Sequence, residues 1–197
     1  MAAQKSAGKK KSPAGQLRIV AGNWRSRLLK IADVDGLRPT PERIRETLFN
    51  WLGAGIHGAR CLDLCAGTGA LGFEALSRGA SEAVFVERAA AAVKVLRANA
   101  ESLDASGVEI LHEDAREFLG RGVTRPFDIV FIDPPFKAEL HNELCRLLQK
   151  QSWLAVNARL YIESDKDKPD VNVPDGWRVL KNKTAGNVRY MLATTDV

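Results

Sequence analysis

Beyond residue 60 the apolar residues alternate between short unbroken runs and stretches in which they recur every three to four positions. Short unbroken runs bounded by turn residues predict strands buried on both faces, and the longer spacing predicts amphipathic helices. The order read this way is a strand at Cys61–Leu64 and a helix at Ala70–Ser77, a strand at Ala83–Val86 and a helix at Ala89–Ser102, then a strand at Val108–Leu111 and a helix at Ala115–Leu119. Phe127–Ile132 and Leu140–Lys150 continue the alternation, and Ala158–Glu163 adds a strand. Trp177–Asn182 and Asn187–Thr194 close the chain as a hairpin turned at Thr184-Ala185-Gly186. Repeated strand–helix units imply an α/β fold with a mostly parallel sheet covered on both faces, and the closing hairpin implies antiparallel pairing at one edge.

The first 60 residues follow a different pattern. Leu17–Val20 and Arg27–Ile31 predict two short strands around a Gly22-Asn23 turn. Thr40 is expected to cap a helix that begins at Pro41, where a missing N–H costs nothing. Ile44, Leu48, Trp51 and Leu52 fall on one face of that helix, and Gly53 or Gly55 ends it. Charge sets this region apart. Residues 1–27 hold seven bases and no acid, a charge of +7, while the remainder carries −2, so the whole excess of +5 comes from the N-terminal segment. A basic arm beside a nearly neutral body is the footprint of phosphate-backbone binding, although a solubilising tail has the same composition.

At 197 residues with 45% apolar content, the chain supports one core and a short appendage. Cys61, Cys65 and Cys145 form neither a paired framework nor a metal-ligand spacing, so no metal is expected and a reducing, cytoplasmic compartment is. No signal-type apolar segment or membrane-length apolar run is present, and no membrane partner is expected. His57, His112 and His141 are scattered and lack triad partners. The tryptophans read mainly as packing residues, with Trp24 at the hairpin placed to touch nucleic acid.

Two motifs carry chemistry. Asp133-Pro134-Pro135-Phe136 follows directly on the buried run Phe127–Ile132. An exocyclic amine is a poor nucleophile because its lone pair is delocalised into the ring, so a catalyst for it must orient the amine and place charge. Asp133 and the Pro134 carbonyl can each accept one N–H, Pro135 restricts Pro134 to extended backbone, and Phe136 can stack on an extruded base. The second motif, Gly67-x-Gly69-x-x-Gly72, lies between a strand and a helix and matches a dinucleotide fingerprint. Glu87 ends the next strand, where an acid can accept ribose hydroxyl protons. These features alone fit NAD as well as S-adenosylmethionine. Three observations favour the latter: Asp63 before the glycines suits a cationic ligand, the chain has no room for a separate substrate domain, and the amine motif ends the fourth strand of the unit. Asp114 could accept the adenine amino group, and Asp114 with Glu117 reads equally as a helix cap. Together the motifs read as a methyltransferase acting on an amino group.

Arg18–Arg27, Leu37–Leu52, Asp63–Ala80, Asp133–Phe136 and Tyr161–Glu163 resemble the RsmD-type 16S rRNA (guanine-N2)-methyltransferases of bacteria. The resemblance runs from about Leu17 to Ala193. It implies a class I S-adenosylmethionine-dependent methyltransferase, Rossmann-like, with seven strands. Composition marks residues 1–15, outside the match, as a disordered basic tail, and the order of elements sets a hairpin extension at 16–36 and the methyltransferase domain at 37–197. The resemblance further implies a cytoplasmic monomer acting on one guanine of 16S rRNA in the small ribosomal subunit. Asp133, Pro134, Pro135 and Phe136 would form the amine site. Asp63, Ala66, Gly67, Thr68, Gly69, Leu71, Glu87, Arg88, Asp114, Ala115 and Asp133 would line the cofactor site. Arg18, Trp24, Arg25, Arg27, Arg38 and Arg43 would meet RNA. Ala21 and Ser26 stand where that family's hairpin is expected to have glycines. The alternatives are an adenine-N6 methyltransferase on RNA or DNA, because Asp-Pro-Pro-Phe does not distinguish amines, and a non-catalytic rRNA-binding assembly factor.

Overall fold

A computed structural model describes residues 15–34, 36–123, 125–135 and 139–195. The expected basic tail (1–15, all but its last residue) and Phe136 lie outside the described residues. Seven strands form the main sheet: β3 (Arg60–Asp63), β4 (Glu82–Glu87), β5 (Val108–His112), β6 (Phe127–Ile132), β7 (Leu154–Asp165), β8 (Trp177–Ala185) and β9 (Val188–Thr195). Their order across the sheet is β5-β4-β3-β6-β7-β9-β8. The β3–β4, β3–β6, β4–β5 and β6–β7 pairings are parallel, and β9 runs antiparallel to both of its neighbours. This is the Rossmann-like class I methyltransferase architecture that the sequence predicts.

Five helices accompany the sheet: α1 (Glu42–Leu52), α2 (Ala70–Ser77), α3 (Ala90–Ser102), α4 (Ala115–Gly120) and α5 (His141–Lys150). Successive strand residues point to opposite faces, so each strand feeds two cores. On one face Phe85, Phe131 and Tyr161 pack with Leu48 and Phe49 of α1, Phe73 of α2 and Leu96 of α3. On the other, Val84, Val130, Ile132 and Leu160 pack with Phe118 of α4 and Leu144 and Leu148 of α5. Trp153 and Trp177 are buried in this second core, in keeping with a packing role. Its lower boundary is tied by the Trp153 indole, which donates to the Leu119 carbonyl at 3.0 Å.

The N-terminal hairpin pairs β1 (Gln16–Arg18) with β2 (Leu28–Lys30) and lies against the first core through Leu17, Ile19 and Leu29. Its loop departs from a two-residue turn. Gly22 has φ +83°, and an added Cβ there would lie 1.8 Å from the Ser77 carbonyl oxygen, so the loop touches the end of α2 backbone to backbone. Ser26 adopts φ +69°, keeping a glycine-type conformation at one of the two positions where the sequence lacks the expected glycine. Several bonds dock this loop: the Asn23 N–H donates to the Ser77 carbonyl at 2.7 Å, the Trp24 N–H to Ser77 Oγ at 2.9 Å, and the Asn99 amide brackets Lys30 by giving and receiving one bond each.

β7 and β8 extend beyond their predicted runs: β7 begins earlier, where Leu154 pairs with Phe127 of β6 across a register shift, and the polar ends at Ser164-Asp165 and Lys183–Ala185 pair along the antiparallel ladder with β9. The turn between β8 and β9 lies at Gly186-Asn187, one step later than predicted, with Ala185 still paired to Val188.

Candidate active site

In this sheet β4 and β5 lie to one side of β3 while β6 and β7 lie to the other. The chain reverses direction across the sheet between β3 and β6, and open α/β sheets bind ligands at the carboxyl ends of the strands flanking that point. Asp63 ends β3 and Asp133 follows β6, so the two acids singled out from sequence flank one crevice.

The glycine loop divides its labour. Gly67 and Gly69 have φ of +51° and +75°, and the Gly69 N–H closes a tight turn onto the Ala66 carbonyl at 2.7 Å. A Cβ on Gly67 would lie 2.8 Å from Leu37 Cδ1, so the segment after the hairpin lies directly over the loop. Gly69 and Gly72 also serve packing: a Cβ on Gly69 would lie 2.6 Å from Leu96 Cδ2, and one on Gly72 2.3 Å from the Phe85 ring. Ala66, Thr68, Leu71 and Ala115 are buried around this loop, and Arg88 is exposed at its edge. Gly69 caps α2 without a side chain, leaving the helix start open to a ligand.

The acids of this half are already anchored. Asp63 is buried and accepts the Gly72 N–H at 3.1 Å. Burial pushes its carboxyl up to about 7, against the lowering effect of that bond, and Glu87 adds to the rise. Glu87 accepts the Gly67 N–H at 2.8 Å and the Ala89 N–H at 2.6 Å, which fixes the acid between the loop and the start of α3. Each carboxylate oxygen has a second lone pair available to a ligand. Asp114 is the N-cap of α4, accepting the Arg116 N–H at 2.9 Å, and the Arg116 guanidinium holds its carboxyl below the usual range.

On the β6 side, Asp133 is partly buried and Pro134 is buried. Burial first, then Glu163 and Asp63, hold the Asp133 carboxyl well above the usual range, and the Thr40 hydroxyl opposes them from 3.4 Å. Thr40 therefore departs from expectation. It does not cap α1, whose N-cap is Pro41 with no side-chain bond, because its hydroxyl is directed at Asp133. On β7 the Tyr161 hydroxyl donates to Glu163 Oε2 at 2.7 Å, and His141 Nε2 meets the Glu163 carbonyl at 2.8 Å. Burial raises Glu163 to about 7, with the Tyr161 bond opposing.

Behind the crevice lies a charged node that sequence reading passed over. The buried Arg45 donates to Glu74 Oε2 at 3.0 Å, to the Thr40 carbonyl at 3.2 Å and to the Arg18 carbonyl at 2.9 Å. Glu74, also buried, accepts the Val20 and Ala21 N–H groups at 2.9 and 3.0 Å and Arg78 Nε at 2.8 Å. Burial pulls Arg45 down from the ordinary arginine value while Glu74 counteracts it. One node thus ties the hairpin, the Thr40 segment, α1 and α2. Its signal was present in the sequence: Arg45 falls within the apolar stripe of α1, and Glu74 is the one charge in the otherwise apolar α2.

Of the residues expected to meet RNA, Arg18, Arg25, Arg27, Arg38 and Arg43 are exposed and Trp24 is half-buried against the core. Arg27 is also engaged in the fold, donating to the Ser102 carbonyl at 2.7 Å. Among the described residues no group of three or more candidate ligands is placed to hold a metal, and no helix is long and apolar enough to cross a membrane.

The sequence profile of the family described as conserved hypothetical protein 95 matches residues 17–194. A protein of Haemophilus influenzae named ribosomal RNA small subunit methyltransferase D is 44% identical over 181 residues, covering 90% of this chain and 93% of the relative. One of the same name from Escherichia coli K12 is 45% identical over 181 residues, covering 92% and 91%. A solved Escherichia coli structure, yhhF, described as a candidate methyltransferase, superimposes with a TM-score of 0.86 at 42% identity, covering 92% of this chain and 99% of that one.

Proposed function

This chain belongs to the family described as conserved hypothetical protein 95, and from that premise we propose that it methylates the exocyclic N2 of a guanine in 16S rRNA, using S-adenosylmethionine, in the small ribosomal subunit. The observation that carries the reading is the placement of Asp133, aided by Thr40, across the crevice from the glycine loop at the point where the sheet order reverses.

The residues present suit the cofactor. Gly67 and Gly69 hold the left-handed turns that present the loop's backbone, Glu87 is fixed where a ribose would lie, and Asp63 offers buried negative charge to a cation. The cofactor supplies an electrophilic methyl on a sulfonium. Asp133 and the Pro134 carbonyl each accept one N–H of the amine, which draws the nitrogen from planarity and turns its lone pair toward the methyl. Methyl transfer from a bound cofactor would leave the nitrogen with a proton to lose. Asp133, made more basic by burial and by Glu163, accepts it.

In the same reading the enzyme is a cytoplasmic monomer whose 16–36 hairpin extends a methyltransferase domain at 37–197. The exposed arginines of the hairpin and of the α1 approach grip the phosphate backbone, with Trp24 at the hairpin loop. The test uses methyl-labelled cofactor with unmodified small subunits, followed by digestion to nucleosides. Label in N2-methylguanosine is expected, with at least a hundredfold loss for Asp133→Ala and unchanged cofactor binding. Label in N6-methyladenosine would select the adenine reading, and unlabelled RNA would overturn the enzymatic one.

A further inference from the structure

The parallel register of β6 on β7 pairs Phe131 with Tyr161 and Ile132 with Ile162. The next residues, Asp133 and Glu163, therefore stand side by side at the carboxyl ends of adjacent strands, which lie about 4.8 Å apart. Alternation directs both side chains to the same face as Phe131 and Tyr161, toward α1. Glu163 is only 4% exposed. Its orientation is fixed by Tyr161 at Oε2 and, through its backbone, by His141 and by antiparallel pairing with Tyr190. The Tyr161 bond is made at Oε2, so Oε1 is the oxygen that this anchor leaves for a ligand. Two adjacent buried carboxylates repel one another and lose hydration, an arrangement that costs stability unless a ligand supplies donors to both.

The base edges differ in what they can supply. Beside its N2 amine, guanine presents a second donor, N1–H. Adenine and cytosine present a ring-nitrogen acceptor beside their amines. An ionised carboxylate only accepts, so a pair of them matches the donor–donor edge of guanine and opposes the donor–acceptor edge of the others. We propose that Glu163 is the specificity-determining residue of the amine site, accepting N1–H of the guanine whose N2 amine is held by Asp133. This rests on the guanine-N2 reading above and adds to it the group that selects guanine over adenine.

The surroundings make the selection pH-sensitive. Glu163 faces Asp133 from β6, Tyr161 on its own strand, Tyr190 from β9 and His141 from α5, with Asp63 of β3 and Thr40 beyond Asp133. None of the described neighbours is a lysine or arginine paired to it. Glu163 rises to about 7, so its accepting form, and with it guanine methylation, gains as pH climbs through that range. Asp133 and Glu163 titrate as a pair.

The experiment compares wild type with Glu163→Gln on small subunits and on rRNA in which 2-aminopurine replaces the modified guanine. 2-Aminopurine keeps the N2 amine but carries an acceptor at N1. Losing a hydrogen bond to a charged group costs about ten- to a hundredfold in kcat/KM, so wild type should prefer guanine by that factor and Glu163→Gln should lose about as much on guanine. The glutamine amide can donate to N1, so the variant should also accept 2-aminopurine as well as or better than guanine, and the rise in its rate should move to lower pH, since Asp133 alone is left to titrate without Glu163 to raise it. Equal losses on both bases, or a wild type indifferent to 2-aminopurine, would overturn the role. A wild type indifferent to 2-aminopurine overturns the role even if the variant folds poorly. If wild type forms no N2-methylguanosine, the guanine-N2 reading itself fails; if it does and Glu163→Gln retains rate, pH profile and preference, only the assignment of Glu163 fails.

Discussion

Replacing Arg45 with methionine tests the node that joins the hairpin to the catalytic body. The substitution keeps much of the side-chain volume and removes three bonds, to Glu74, the Thr40 carbonyl and the Arg18 carbonyl. Glu74 is then left buried with two backbone N–H groups and with Arg78, whose side chain is 18% exposed. Breaking one side of a buried ion pair typically costs about 3–5 kcal/mol, because the remaining charge has lost its partner. At about 2–4 °C per kcal/mol for a domain of this size, Tm should fall by roughly 6–20 °C. The companion variant Glu74→Gln and the double variant complete a thermodynamic cycle. The double variant should lie closer to wild type than additivity predicts, with a coupling of roughly 1–3 kcal/mol. Rescue stays incomplete, since an amide oxygen is a weaker acceptor for the Val20 and Ala21 N–H groups. Hydrogen exchange at those two amides should accelerate in Arg45→Met before exchange in the β3–β6 core does. A Tm loss below about 3 °C, additive cycles, or unchanged exchange at Val20 and Ala21 would refute the node as the link between hairpin and body.

Two further outcomes follow from packing and titration. Gly22→Ala places a Cβ against the Ser77 carbonyl and forces a φ of +83° on an L-residue, so it should cost about 2 kcal/mol or more and loosen the hairpin; a calorimetric Tm within 2 °C of wild type would contradict that contact. Asp63 rises from 3.8 to about 7 on folding, so the folded state binds more protons than the unfolded one between roughly pH 4 and 7, and the group's contribution to stability falls as pH rises through that window. Asp63→Asn should therefore be favoured at pH 8 over pH 5, relative to wild type, by up to about 2–3 kcal/mol, and a Tm difference independent of pH would refute the shift.

The sheet and most of its helices were legible because burial on both faces writes itself into apolar runs such as Phe127–Ile132. The glycine loop and Asp133 were legible because Gly67, Gly69 and the two prolines impose backbone geometry that few other residues tolerate. What sequence did not reveal depended on contacts between distant segments. Thr40 reads locally as a cap, yet Asp133 lies 93 positions away and competes successfully for its hydroxyl. Arg45 and Glu74 each stand out against the apolar face of a helix, but nothing local pairs them, and only their contact across 29 residues makes them one node. Asp63 was expected to face a cation; it also clasps the Gly72 N–H, so it supports the loop whether or not a ligand is present. Ser26 shows the converse, a non-glycine holding a left-handed conformation that the docked loop imposes.

The antiparallel strand β9 lies between β7 and β8, although it follows both in the chain. Strands β4, β5 and β6 can each find a neighbour from residues already made. β7 pairs with β6 but presents an open, largely apolar edge until residues 188–195 arrive. That edge is a template for unwanted pairing with another nascent chain, and its exposure lasts as long as it takes to synthesise β8 and β9. Glu163 and Tyr161 sit on the same strand, so their half of the crevice acquires its wall last. Synthesis therefore separates two events in time: the glycine loop between β3 and α2 can settle early, while the carboxylate pair is completed only when the final strand slides into place.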